Sequence, residues 1–335
     1  MAFTSEYLLI NIVLFVIGVT VLVKGSDWFV DAAASLARSF GVPELVIGLT
    51  LVSIGTSLPE LASSLCAAFY NEPNFIIGNI VGSNTANIAL ILGAGLLLGG
   101  GLNFDRKVAW RDMPLLLALG IGLMLWYYWG GDAPAGAEHG FGRIGGVILL
   151  VICAVYSVIL ASSGQDNDGK TAEANDAAEA PEAVMSRSKA FGLAVLALIM
   201  ITLGAKLMVD TVVWTAERMQ VNPLLISLTV VAIGTSLPEL AVTVAGVLKK
   251  RDDIALGNII GSGIYNIVLI IGCCSVVTPL TGDTQNSIMS MIIMNLVAAV
   301  LWVFLLTNKK LYRWQGVIFL LGYAAFTLWS ICCVK

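Results

Sequence analysis

Residues 47–62 read IGLTLVSIGTSLPELA and residues 226–241 read ISLTVVAIGTSLPELA, identical at 13 of 16 positions with an offset of 179. The same offset, without a gap, aligns IGNIVGSNTANIALILG (77–93) with LGNIIGSGIYNIVLIIG (256–272), identical at 10 of 17, and pairs Asp31 with Asp210. Self-similarity at a fixed offset marks an internal duplication. Both copies lie in an apolar chain: of 335 residues 58% are hydrophobic and 12% charged. A soluble protein of this length carries about 25% charged residues, so this is a polytopic membrane protein.

A bilayer-spanning helix needs about 20 mostly apolar residues. Ten such runs are expected near residues 7–37, 43–69, 74–100, 113–130, 143–161, 189–218, 223–248, 254–278, 287–307 and 314–333. The first and sixth are long enough to be tilted helices that reach into the interface. No basic region precedes the first run, so no cleaved signal peptide is expected. Thirteen of the lysines and arginines fall in loops on one side, and only Arg143, Arg218 and Lys335 on the other. The positive-inside rule then puts both termini outside and residues 162–188 in the cytoplasm. That linker is rich in Ala, Asp and Glu and reads as a mobile tether. Its Asp166, Asn167, Asp168 and Gly169 lack the remaining spacing of an EF-hand loop. The chain thus divides into a five-helix repeat (1–161), the acidic linker (162–188) and a second five-helix repeat (189–335). Five is odd, so the second copy must enter the membrane upside down, an arrangement that transporters use to hold substrate between repeats.

Polar residues concentrate where the repeats agree best. Pro59 has no N–H and its ring clashes with the carbonyl of Gly55, so the second span must break at GTSLPE, and the seventh likewise at Pro238. A break frees backbone oxygens, which membrane depth tolerates only inside protein or around a wet cavity. Ser53, Thr56 and Glu60 share one helix face if the phase survives the kink, with Ser57 beside them. Ala232, Thr235, Ser236 and Glu239 repeat the set. In the third and eighth spans Asn79, Ser83 and Asn87, and Asn258, Ser262 and Asn266, form columns four residues apart. Asn79 and Asn258 suit an interhelical hydrogen bond as well as a ligand role. Gly78, Gly82, Gly257, Gly261 and Gly263 allow close helix approach.

A carboxylate near the bilayer centre costs about 2.5 kcal/mol or more, and no lysine or arginine lies within these four spans. A cation must therefore balance Glu60 and Glu239. Six to eight hard oxygen donors suit Ca2+ better than Mg2+, and soft metals are disfavoured. Elsewhere, Lys24 and Lys206 are expected to snorkel or cap. Trp126, Tyr127, Tyr128 and Trp129 read as an interfacial belt. Cys66, Cys153, Cys273, Cys274, Cys332 and Cys333 have no CxxC spacing and read as small core residues. With His139 the only histidine, neither a histidine-based hydrolase nor a histidine metal cage can form. No nucleophile or cofactor motif accompanies the glutamates, so no enzyme is expected. A net charge of −4 argues against nucleic acid as a partner.

GTSLPEL followed by GNxxGSN, twice around an acidic linker, closely resembles the paired repeats of the calcium/cation antiporter superfamily, and within it the compact prokaryotic sodium/calcium exchangers. The resemblance implies an all-α protein of ten transmembrane helices in two inverted repeats, with helices 2 and 7 broken. It implies a four-helix core from spans 2, 3, 7 and 8, across which spans 1 and 6 move. Calcium would sit between Glu60 and Glu239 with oxygens from Thr56 and Thr235. Sodium would be held by Ser53 (carbonyl), Thr56, Ser57, Glu60 and Ser83, and by Ala232 (carbonyl), Thr235, Ser236, Glu239 and Ser262. Asn87 and Asn266 would be the central polar pair. The chain departs from some relatives in having Asn266 rather than aspartate, which predicts no potassium requirement. Gly263 and Tyr265 stand where the first repeat has Asn84 and Ala86, and leave the symmetry of the site open there. The transported ions would be Ca2+ and Na+, with no cofactor and no obligatory protein partner, in the plasma membrane of a bacterium or archaeon. Protons compete for the same carboxylates, so acid should inhibit. An H+/Ca2+ exchanger is the nearest alternative, although that relative has a glutamate in the GN motif that is absent here. A passive cation channel is a further one.

Overall fold

A computed structural model describes residues 4, 7–130, 132, 139–163, 185–218, 232–281 and 284–333. Apart from a two-residue antiparallel pairing of β1 (Leu102–Asn103) with β2 (Lys310–Leu311), the described regular structure is helical. The helices are α1 (Leu8–Phe40), α2 (Glu44–Thr56), α3 (Leu58–Phe69), α4 (Pro73–Gly99), α5 (Val108–Trp129) and α6 (Arg143–Ser163). After the linker come α7 (Arg187–Arg218), α8 (Ala232–Thr235), α9 (Leu237–Leu248), α10 (Asp252–Val277), α11 (Thr284–Thr307) and α12 (Arg313–Cys333). Among the described residues, seven helices are long and apolar enough to cross a membrane, or eight if the bent pair α2 and α3 is one span. The ten runs expected from sequence exceed this number for two reasons. Residues 219–231, most of the first half of the seventh run, lie outside the described residues, and the described side chains of α12 end at Trp329. Most of the acidic linker, 164–184, also lies outside them.

The break at Pro59 is where the sequence requires it. α2 and α3 meet at 45°, Ser57 between them has φ −82° and ψ 4°, and Pro59 stands in the first turn of α3, where a missing N–H costs nothing. The break is short, because Ser57 N–H still reaches Ser53 O (3.1 Å) and Leu61 N–H reaches Ser57 O (3.0 Å). α9 copies this start, with Pro238 in its first turn after Ser236. Four further irregularities carry no sequence mark. The helix widens to a π-helix over Gly48–Val52 in α2 and Val108–Asp112 in α5, and over Asn87–Leu92 in α4 and Asn266–Ile271 in α10, the last two beginning at the central asparagines. π-turns inside α-helices gather at functional sites.

Apolar side chains form two separate clusters. One joins α1 and α7 to the flank of α9, largely through Ala32, Ala33, Ala34, Ala37, Ala190, Ala194 and Ala197. The other unites most of the remaining helices around Ile80, Leu92, Met113, Ile260 and Ile271. Small residues let α1 and α7 touch backbone to backbone: a Cβ on Gly204 would lie 2.7 Å from Leu22 N and 2.8 Å from Gly18 O. α2 and α10 are equally close, since a Cβ on Gly257 would meet Gly48 Cα at 3.0 Å. Gly78 and Gly82, expected to act likewise, have nothing within 4 Å of an added Cβ among the described residues. The segment that corresponds to Gly48–Val52 by the 179-residue offset, 227–231, is not among those residues.

Several single-residue expectations need correction. Lys206 is exposed and pairs with Asp210 one turn on at 2.9 Å, and Lys24 is exposed. Tyr127 belongs to the core, not to an aromatic belt, and Trp126 donates its indole N–H to Asp132 (2.8 Å); Tyr128 and Trp129 are exposed as a belt requires. Cys66 is exposed, against its expected place in the core, whereas Cys274 is buried.

Candidate ion-binding site

The breaks of the two repeats face one another and exchange hydrogen bonds. Ser57, at the first break, donates to Glu239 Oε1 at 3.1 Å. Its counterpart Ser236 lies 3.4 Å from Glu60 Oε1 and 3.3 Å from Ser83 Oγ, and its single proton can serve either. Each serine thus serves the glutamate of the other repeat. Ser53, Thr56, Ser57, Glu60, Ser83, Asn87, Ser236, Glu239, Ser262 and Asn266 are all buried. Thr235 is half-buried, and Ala232 opens α8. The Ser53 carbonyl, which the resemblance makes a sodium ligand, accepts from Ser57 N–H and lies 3.3 Å from Thr56 Oγ1 and 3.5 Å from Ser262 Oγ.

Interhelical asparagines frame these groups. Asn79 donates to Ser64 Oγ and Asn258 to Thr243 Oγ1, each at 3.0 Å. Asn258 also donates to the Glu239 carbonyl at 3.3 Å and accepts from Thr56 Oγ1 at 3.0 Å. These two asparagines are therefore clamps between helices. Ser64 and Thr243 went unnoticed in the sequence, although the 179-residue offset relates them and both stand one turn beyond a motif glutamate. Asn84 also escaped: its Nδ2 donates to Gly263 O at 3.1 Å and its Oδ1 accepts from Asn266 Nδ2 at 2.9 Å. Tyr265, the other departure from symmetry, is fully buried with its hydroxyl 3.0 Å from Ser157 Oγ.

Among the described residues, four buried oxygens of this region have no hydrogen-bond donor: Glu60 Oε2, Glu239 Oε2, Asn87 Oδ1 and Asn266 Oδ1. Buried polar atoms are ordinarily paired, and each exception calls for an explanation. All four are acceptors, and among the described residues no lysine or arginine pairs with either carboxylate. Buried hard oxygens that no proton reaches are what a dehydrated cation takes.

A model of the family described as sodium/calcium exchanger protein matches residues 10–161 and 189–332. The chain belongs to the sodium/calcium exchanger family. The exchanger is 33% identical to sodium/calcium exchanger MaX1 of Methanosarcina acetivorans, over 95% of this chain and 97% of that protein. It is 35% identical to inner membrane protein YrbG of Escherichia coli, over 81% of each. Its fold matches the sodium-calcium exchanger NCX_Mj soaked with zero Na+ and Ca2+, with a TM-score of 0.81 and 29% identity over 98% of this chain and 100% of that one. Ca2+ and Na+ are the ions this family moves.

Proposed function

We propose that the exchanger is a secondary active antiporter that trades Na+ for Ca2+ by alternating access, with Ca2+ held between Glu60 and Glu239. The four donorless oxygens of Glu60, Glu239, Asn87 and Asn266 carry this reading. Hydroxyls of Thr56, Ser57, Ser83, Thr235, Ser236 and Ser262, with the carbonyls of Ser53 and Ala232, supply the sodium positions. For Ser53 this requires the Ser262 hydroxyl to turn away from the carbonyl it now approaches at 3.5 Å. The glutamates act as ion ligands and not as catalytic groups. Two glutamates with Ca2+ sum to zero and with three Na+ to +1, so a three-for-one cycle moves charge. An empty core keeps two uncompensated carboxylates and does not switch, which enforces exchange.

Ten crossings follow if α2 with α3, and α8 with α9, each count as one broken span. Contacts at the helix ends support this alternation. Asn71 with Thr278 (2.7 Å) and Phe141 with Leu280 mark one face. Asn103 with Asp252 and Arg251 with Glu44 mark the other, which holds most of the basic loops and is assigned to the cytoplasm of a prokaryotic cell, with both termini outside. The apolar contacts of α1 and α7 with Ile47 and Val52 of α2, Val242 and Ala245 of α9 and Ile254 of α10 form the surface across which that pair would slide.

The test is Ca2+ uptake into proteoliposomes loaded with Na+, compared with K+ or a pH gradient. Uptake that needs internal Na+ and vanishes in Glu60→Gln and Glu239→Gln is expected. Uptake driven only by a pH gradient would make the protein an H+/Ca2+ exchanger, and uptake without a counter-ion a channel.

A further inference from the structure

We propose that Asn84 is a positioning residue that fixes the polarity of the central site by holding the Asn266 amide with its oxygen toward the ion. The inference rests on the Ca2+ reading above. A side-chain amide has an oxygen face and an NH2 face of nearly the same shape, and a cation is bound by one and repelled by the other. Here the choice is forced from outside the site. The Gly263 carbonyl can only accept, so Asn84 must turn its NH2 to it. The oxygen of Asn84 is then left to accept from Asn266, which must offer its own NH2. Asn266 Oδ1 therefore faces the buried space where no donor reaches it. A backbone carbonyl thus sets the orientation of a ligand two hydrogen bonds away.

The device exists once. The counterpart of Asn84 is Gly263, and a Cβ there would stand 3.2 Å from Leu116 Cδ1, so a second asparagine would have to displace the Leu116 side chain. By the same token Asn87 has no equivalent residue in the second repeat to orient it.

Partners of this kind behind a metal ligand are worth about 10- to 100-fold in affinity. The experiment measures Ca2+ binding to purified full-length protein and Na+-driven Ca2+ uptake for Asn84→Ala, with Asn84→Leu as the variant that keeps side-chain volume. Each is made in the wild-type and in an Asn266→Asp background. A carboxylate has two equivalent oxygens and needs no orienting. We therefore expect Ca2+ affinity to fall about 10- to 100-fold in the wild-type background and less than about threefold beside Asn266→Asp. Equal losses in both backgrounds would reduce Asn84 to packing, and no loss in either would overturn the proposal. A wild type that binds no Ca2+ would instead refute the site itself.

Discussion

Replacing Gly261 by alanine adds one methyl group where α2 and α10 touch. The new Cβ would lie 2.5 Å from Ser53 Oγ and 2.8 Å from Leu49 O. Ser53 can rotate its hydroxyl away, but the Leu49 carbonyl is fixed in a helix. Ordinary contact begins at 3.4 Å, so the helices must part by about 0.6 Å, at the usual overpacking cost of about 1–3 kcal/mol. Ser262, the next residue, is only 3.5 Å from Ser53 O and would lose that contact. Gly261→Ala should therefore lower the thermal midpoint in detergent and weaken Ca2+ binding, since ligands on both helices move apart. Gly122 in α5 is exposed, with nothing within 4 Å of an added Cβ among the described residues, and Gly122→Ala should be far milder. Both are read by thermal unfolding and by the Ca2+ concentration giving half-maximal uptake. Equal damage from the two substitutions, or none from Gly261→Ala, would refute the packing argument.

Ca2+ at 100 times its dissociation constant should stabilise the wild type by about 2.7 kcal/mol, seen as a rise in thermal midpoint that Glu60→Gln removes. Asp132 accepts from Trp126 Nε1 and from the N–H groups of Gly142, Ile144 and Gly145. Burial raises its pKa, but these hydrogen bonds outweigh that and hold it below the usual carboxylate value. Its contribution is therefore complete above the ordinary aspartate range and is lost as pH falls through the lowered value. Asp132→Asn should remove that acid-labile part from the pH dependence of unfolding. Lys249 reaches Asp31 at 2.6 Å in a solvent-exposed pair, so Lys249→Gln should cost less than about 1 kcal/mol of stability in a denaturation series. With Asn266 in the central pair, Ca2+ flux should proceed unchanged when K+ is replaced by choline on both sides.

Local chemistry was legible in the sequence wherever one residue type forces one outcome. Pro59 cannot continue a helix, and a glutamate in an apolar run cannot stay uncompensated, so the break and the carboxylate pair were readable. The π-turns at Asn87 and Asn266 were not, because shifting a hydrogen bond by one residue changes no side chain. The role of Asn84 depends on Gly263 O, a backbone atom 179 residues away. Tyr127 was misread because a run of four aromatics does not say which faces inward. Lys206 with Asp210 was available in the sequence as a pair one turn apart.

The glycine contacts between α1 and α7 have a mechanical consequence. With Gly204 laid against Gly18 and Leu22, neither helix can advance along the other without lifting over side chains, so the two travel as one plank. The chain also pins its re-entry to that plank: Met185 N–H bonds Ser35 Oγ at 3.1 Å, and Arg187 grips the Ser39 carbonyl at 3.0 Å. A force applied to the chain at residues 185–187 is thereby delivered to both helices at once, where the C-terminal end of α1 meets the start of α7.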